Sequence, residues 1–187
     1  MKYCSLCGSK VIPQIPKGDN RERDVCSSCG QIFYANPKIV VVCIPQWQDK
    51  ILLCRRAIEP RRGYWCLPGG YLEKGETLEE GAKREVSEET FADVKIHRLF
   101  SKTELIHTSL IEFCFLGDMT SEKYTAGIES LDVDLFDKGQ ILKLDFALNS
   151  HQLSLDAYFQ SRDTFKVHNF RFDSGLGHGL PHFKWSR

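Results

Sequence analysis

No stretch of this chain approaches the roughly 18 consecutive apolar residues that mark a membrane helix, and its opening, Met1-Lys2-Tyr3-Cys4, does not begin a secretion signal. A cytoplasmic protein that does not engage a membrane is the expectation. An excess of charge of one sign is missing too. The 25 basic side chains meet 25 acidic ones, so no bulk field draws the chain to nucleic acid or to an anionic surface, although a local basic strip is compatible with that balance. Nucleic acid is therefore not an expected partner. Internal repeats and low-complexity tracts are also lacking. What is present, 187 residues with 42% hydrophobic and 27% charged side chains, suits one globular domain with a substantial core plus a small accessory module.

Cysteine is not scarce, and four of the eight follow an arithmetic of their own. Cys4-x2-Cys7 and Cys26-x2-Cys29, separated by 18 residues, match the paired-knuckle spacing of a four-thiolate zinc site. Each pair is followed by a glycine, Gly8 or Gly30, which allows the turn that aims amides back at the sulfurs. Four thiolates leave no open position, so such a Zn2+ is structural; two disulfides are the alternative. Cys43, Cys54, Cys66 and Cys114 stand in apolar or strand-like surroundings and read as small buried hydrophobes. None has a histidine and an acidic partner nearby in sequence.

Between Gly70 and Glu89 acidic residues crowd toward the far end of one predicted helix. Thr77 followed by Glu80 has the form of a capping box, which starts the helix at Thr77 and carries it to about Thr90. Glu85, Glu88 and Glu89 then share one face, where like charges repel by about 0.2–0.5 kcal/mol per pair. Near the C-terminal turn the helix dipole disfavours each anion by a further ~0.3–1 kcal/mol. An oxygen-preferring divalent cation, Mg2+ or Mn2+, turns this liability into a site, with water and substrate phosphates as the remaining ligands. A solvated charged face is the bland alternative. Ahead of the helix, Trp65-Cys66-Leu67-Pro68-Gly69-Gly70 forms a rigid turn whose glycines allow close backbone approach to a ligand. Loop carbonyls and helix carboxylates can thus converge on one metal cluster.

The remaining elements frame this segment. Asn36-Pro37 marks a turn, Lys38 to Ile44 is a β-branched run consistent with a buried strand, and Ile51 to Arg56 reads as its neighbour across Trp47-Gln48-Asp49-Lys50. Val94 to Leu99 and Leu110 to Leu116 add strands, and Ser150 to Phe159 a second helix. From about Arg162 the chain, with Gly175, Gly177, Gly179 and Pro181, reads as an extended tail that wraps the domain or a partner subunit. His178 and His182 have i, i+4 spacing, but Gly179 and Pro181 oppose a helix there and favour a surface tail over a metal site. His97, His107, His151 and His168 lack partners visible in sequence. Tyr64 and Trp65 either stack on a base or cap the core. Arg55, Arg56, Arg61 and Arg62 suit planar hydrogen bonding to phosphate, with loop solvation the stronger competitor for Arg61 and Arg62 than for Arg56.

Gly70, five residues, Glu76, seven residues, then Arg84-Glu85-Val86-Ser87-Glu88-Glu89 resembles the signature of the Nudix hydrolases. One position departs: Phe91 stands where the family pattern has glycine. That removes a residue suited to a left-handed helix cap, so either the helix exit differs or Phe91 is strained. The resemblance implies an α/β fold, the Nudix α/β/α sandwich with a mixed sheet, preceded by a small zinc ribbon. The expected divisions are 1–35 for the ribbon, 36–161 for the Nudix domain and 162–187 for a C-terminal extension.

It also implies an activity: metal-dependent hydrolysis of the phosphoanhydride bond of a nucleoside diphosphate derivative. By the matching positions, Glu85, Glu88 and Glu89 bind the metals with a carbonyl of Gly69 or Gly70 assisting, Arg84 orients the carboxylates, and Glu76 supports the loop and helix. The general base varies within the family; Glu129, in Gly127-Ile128-Glu129-Ser130, is the loop candidate, with Glu112 and Glu122 competing. Arg56, Tyr64 and Trp65 complete the expected substrate contacts. The ribbon, Asn36-Pro37-Lys38 and Phe146-Ala147 are similar to a subgroup acting on FAD and ADP-ribose. NADH pyrophosphatases also carry a ribbon, but their proline-rich segment has no counterpart in Phe100 to Ser109, and Ile106 stands where ADP-ribose-specific members place a proline. FAD or a related dinucleotide is thus preferred, then ADP-ribose, then NADH, each cut releasing AMP. A nucleotide-sensing regulator without catalysis is the alternative of another class, disfavoured because every box glutamate is kept. Family habit implies a homodimer.

Overall fold

The computed structural model describes residues 1–161 and 163–173, and the chain separates at Pro37 into two units, Met1–Pro37 and Lys38–Arg187. The tail glycines, His178 and His182 lie outside the described residues. In the first unit β1 (Val11–Gln14), β2 (Arg23–Cys26) and β3 (Ile32–Phe33) pair antiparallel in that order. Little apolar surface is covered: Val25 is buried, but Ile12, Ile15 and Tyr34 are exposed. A module this small needs a cross-link. The two knuckles provide one, because the sulfurs of Cys4, Cys7, Cys26 and Cys29 all lie within 4.8 Å of one another. All eight cysteines are unbridged, so the disulfide alternative is not adopted. Gly8 and Gly30 have φ of 74° and 72°, and the amides of Leu6, Ser28 and Cys29 each donate to a Cys4 or Cys26 sulfur at 3.4 Å. The Ser9 backbone amide, followed by its side chain, draws Cys7 down to about 6, which favours the thiolate that a zinc ion requires.

The second unit is built on a mixed sheet with layers on both faces. Its strands are β4 (Lys38–Trp47), β5 (Lys50–Arg56), β6 (Trp65–Cys66), β7 (Gly69–Tyr71), β8 (Val94–Leu105), β9 (Leu110–Met119), β10 (Ser130–Phe136) and β11 (His168–Phe172); its helices are α1 (Leu78–Thr90), α2 (Lys138–Ile141) and α3 (Asn149–Ser161). The order is β10-β5-β4-β9-β8-β11, with β6 on β5 and β7 on β4. β4 runs parallel to β9, and β8 parallel to β11. The β-branched run explains the layering. Val41, Val42, Cys43 and Ile44 are all fully buried, as a strand covered on both faces requires. Val41 packs with Ala82 of α1, while Val42 and Ile44 join Phe100, Leu155 and Tyr158 on the α3 side. The expected sandwich is what the chain forms.

Three elements extend beyond what the pattern announces. β8 continues six residues past Leu99 to Leu105. The sequence pattern does not announce β10, whose burial does not alternate throughout: Ser130, Val133 and Leu135 are buried while Leu131, Asp132 and Asp134 are exposed. Residues 168–172, read from sequence as part of an extended tail, add β11 to the sheet edge by parallel pairing from His168–Ser101 to Phe172–Leu105.

Helix α1 begins as its sequence dictates. Thr77 Oγ1 accepts from the Glu80 amide at 3.2 Å and Glu80 returns a carboxylate oxygen to the Thr77 amide at 2.8 Å. It ends in a left-handed cap in spite of the missing glycine: Phe91 has φ 49°, and its amide donates to Ser87 O at 2.9 Å. A non-glycine residue there carries ~1–2 kcal/mol of strain. The Phe91 side chain is 63% exposed, so little packing offsets it. Phe91→Gly is expected to stabilise the domain by about 1 kcal/mol, raising Tm by ~2–4 °C. A calorimetric scan showing no rise would mean the ring makes a contribution its exposure does not reveal.

Candidate active site

The segment before α1 is shaped by close packing. Gly69 and Gly70 pair with Val42 and Val41 of β4. A Cβ on Gly69 would come 2.5 Å from the Val41 carbonyl, and one on Gly70 would come 2.6 Å from Glu85 Oε1. The glycines are therefore fixed by a strand and by a carboxylate. Gly69 donates its amide to Glu89 Oε2 at 3.1 Å, and Pro68 O accepts from the Cys43 amide at 3.0 Å. Turn and helix thus meet at two of the three glutamates.

Arg84 organises the acidic face. Its Nε and Nη2 donate to the two oxygens of Glu76 at 3.0 and 2.7 Å, Nη2 also to Tyr71 O at 3.0 Å, and Nη1 to Glu85 Oε1 and Glu88 Oε2 at 2.8 and 3.0 Å. All five guanidinium protons are thereby engaged, a pattern that lysine cannot reproduce. The Arg84 bonds, aided by the Glu73 amide, hold the Glu76 carboxyl down at about 2. A depressed carboxyl contributes stability above its ordinary range and loses it as pH falls through the folded value. Glu76 is therefore expected to titrate near pH 2 by carbon NMR of its side chain; a midpoint near 4.5 would show that the Arg84 pairing does not persist in solution.

Glu85 and Glu89 are harder to ionise. Burial raises Glu85 first, opposed by Arg84 and reinforced by Glu88 and Glu129. Burial, then the Cys66 thiol, lifts Glu89 to about 7, although the Gly69 amide opposes. Cys54 Sγ donates to Glu89 Oε2 at 3.4 Å and lies 3.4 Å from Cys66 Sγ. Those two cysteines are buried, as expected, yet border the site through tertiary contacts that no sequence spacing shows. Among the described residues, the four ribbon cysteines form the one cluster whose metal-ligating atoms all lie within 4.8 Å. Arg84 draws Glu85 and Glu88 together on one face of α1, with Glu88 turned outward onto the guanidinium, its side chain 60% exposed.

The other candidates separate clearly. Thr125 and Gly127 amides donate to the Thr90 and Glu89 carbonyls, which docks the following loop on the end of α1. That docking brings the exposed Glu129 close enough to raise Glu85. Glu112 instead is buried on β9, accepting from Ser150 Oγ at 2.9 Å, and Glu122 is exposed on the loop. Arg56 Nε donates to Pro60 O at 3.0 Å and Arg55 Nε to Gly63 O at 2.8 Å, so both brace the loop between β5 and β6. Trp65 packs edge-on against Phe136 with centroids 4.7 Å apart, whereas Tyr64 is 41% exposed under the Arg61 guanidinium. Of the alternatives for this pair, Trp65 caps the core and Tyr64 keeps a free face. His151, without a visible partner in sequence, is 3% exposed and accepts from the Leu67 amide.

Comparison with known proteins agrees with this layout. The NUDIX domain family model matches residues 36–150, and the Nudix N-terminal zinc-ribbon model residues 2–35. An ADP-ribose pyrophosphatase from Methanocaldococcus jannaschii is 33% identical over 118 residues, covering 61% of this chain and 70% of that protein. An NAD-capped RNA hydrolase from Photobacterium profundum is 31% identical over 129 residues, covering 69% of this chain but only 47% of the relative. The match thus spans less than half of that second protein. Among solved structures, a NUDIX hydrolase from Nitrosomonas europaea superposes with a TM-score of 0.88 at 41% identity, covering 92% of this chain and 99% of that one.

Proposed function

Because this chain belongs to the Nudix hydrolase family, we propose that it cuts the phosphoanhydride bond of an ADP-linked diphosphate and releases AMP. The observation that carries the proposal is the Arg84 hub, which holds Glu76, Glu85 and Glu88 on the face of α1 that Gly69 and Gly70 border. The donor set is all oxygen, and such a set fits a hard cation better than a soft one. Glu85, Glu88 and Glu89 would hold Mg2+ or Mn2+, with a carbonyl of Gly69 or Gly70. When bound, the ion supplies charge neutralisation for the diphosphate and acidifies a water.

The chain's own groups do the rest. Arg84 holds Glu85 and Glu88 aimed at one place on the helix face, and releases Glu88 when a stronger partner arrives. Gly69 orients Glu89 through its amide. Glu129, beside Glu85 on the docked loop, accepts a proton from the attacking water. Tyr64 offers an exposed ring for a base, and Arg56 stands near it for phosphate. In the first unit Zn2+ is structural, held by Cys4, Cys7, Cys26 and Cys29.

ADP-ribose, NADH and FAD share the AMP-diphosphate half that such a site addresses. The names of the relatives favour ADP-ribose and NAD-derived substrates over the FAD preferred from sequence markers. Incubation with Mg2+ or Mn2+ and each of these, together with NAD-capped RNA, should release AMP or an AMP-terminated product on chromatography. Tight nucleotide binding without any turnover supports the regulator instead. A homodimer completes the proposal, and sedimentation velocity reads it directly.

A further inference from the structure

One buried polar group stands outside this machinery. His151, in the first turn of α3, reaches across 84 residues of sequence to the segment that precedes the box. The Leu67 amide donates to its Nδ1 at 3.1 Å, and its Nε2 lies 3.5 Å from Glu112 Oε2. Ser150, its neighbour on α3, donates to that same carboxylate oxygen at 2.9 Å. All four residues are buried, with Glu112 at 2% and Leu67 at 1% exposure.

The chemistry fixes the roles. A backbone amide can only donate, so Nδ1 presents its lone pair to Leu67 and the ring proton sits on Nε2, facing the carboxylate. The Glu112 carboxylate, 3.5 Å from Nε2 and not hydrogen-bonded to it, favours that tautomer electrostatically. The two residues between β6 and β7 have few other polar anchors, although the glycines that follow are paired with β4. Pro68 has no amide to offer, the Gly69 amide is committed to Glu89, and the Pro68 carbonyl is held by Cys43. An apolar residue at 151 would leave the Leu67 amide unpaired in the core, a costly arrangement. An ordinary core histidine has both ring nitrogens satisfied, whereas here Nε2 is left without a hydrogen-bond partner beside Glu112. This one ties a remote helix to the two residues before the glycine that orients Glu89.

We propose that His151, facing the Glu112 carboxylate that Ser150 holds, is a positioning residue for hydrolysis: through the Leu67 amide it helps set where Gly69 and Gly70 stand against Glu89 and Glu85. The inference rests on the hydrolytic reading above. A shift of the turn by a fraction of an ångström moves the amide that aims Glu89, and misplacements of about 1 Å can cost ~10²-fold in rate.

The test uses the full chain with two substitutions. His151→Asn keeps an acceptor close to the place of Nδ1, whereas His151→Leu keeps bulk and removes it. His151→Leu is expected to lower kcat by roughly 10–100-fold with KM changed less than about threefold, and His151→Asn to restore most of the loss. Independently of turnover and of metal, amide hydrogen exchange by nitrogen-15 NMR should quicken at Leu67 and Gly69 in His151→Leu and stay near wild type in His151→Asn. Unchanged exchange at Leu67 and Gly69, an equal kcat loss in both variants, or an effect confined to KM overturns the proposal. If His151→Leu does not fold, Glu112→Gln provides the measurement: it should quicken Leu67 exchange, and unaltered exchange there overturns the tautomer-holding role. Should the wild-type chain hydrolyse no diphosphate, the functional reading fails, while the exchange data still decide whether His151 holds the turn.

Discussion

Glu89→Gln is expected to lower kcat for AMP release by roughly 10²–10⁴-fold while the domain stays folded and melts at the same temperature or higher. The two halves of that result have one origin. Glu89 is largely buried between the Gly69 amide and the Cys54 and Cys66 thiols, and burial lifts its carboxyl to about 7. A carboxyl raised in the folded state favours folding most at low pH, and that advantage fades as pH climbs from its ordinary range through about 7. Glutamine keeps the volume and the oxygen that accepts from Gly69 but carries no charge to desolvate. It therefore relieves the fold and removes an anion that a divalent cation needs. Steady-state kinetics and a thermal melt on the same preparation check both. Retained turnover would remove Glu89 from the site, and a collapse of the fold would make it a structural residue.

The second large effect concerns the first unit. Stripping zinc, by a chelator or by Cys7→Ser, is expected to unfold Met1–Pro37, because metal binding at four-thiolate sites supplies about 10–16 kcal/mol that this module has no apolar core to replace. Val25 is buried, but Ile12, Ile15 and Tyr34 are not. Elemental analysis should find one zinc per chain, and the dispersed amide resonances of Val25 and Cys26 should collapse on chelation. Dispersed resonances in a zinc-free sample would show that the three strands hold without the ion.

How far the residues disclose all this depends on the range of the forces involved. The capping box, the left-handed turns at Gly8 and Gly30 and the buried centre of β4 are local, and each follows from a few neighbouring side chains. Family resemblance supplies the sandwich and the box positions beyond that. β10 and β11 escape because strand pairing is non-local: Leu131 is exposed where alternation would bury it, and β11 is defined by its partner, β8. Phe91 adopts the conformation of the glycine it replaces, since the cap geometry is set by the helix end and the docked loop. The glycine pair suggests room for a ligand, but at Gly70 the room goes first to Glu85. The contacts of Cys54 with Glu89 and of His151 with Leu67 and Glu112 join residues 35 to 84 positions apart and leave no periodic trace.

Arg84 gathers two of the three box glutamates, and it engages the Glu88 carboxylate, whose side chain is 60% exposed. To ligate a cation, Glu88 has to swing from the guanidinium that now holds it. Anomalous diffraction from crystals grown with Mn2+ and a slowly hydrolysed ADP-linked diphosphate reads this directly. Manganese peaks contacted by Glu85, Glu88 and Glu89, with the diphosphate on their open side, are the predicted result. Manganese absent from that face, in crystals of a protein that still turns over its substrate, would contradict it.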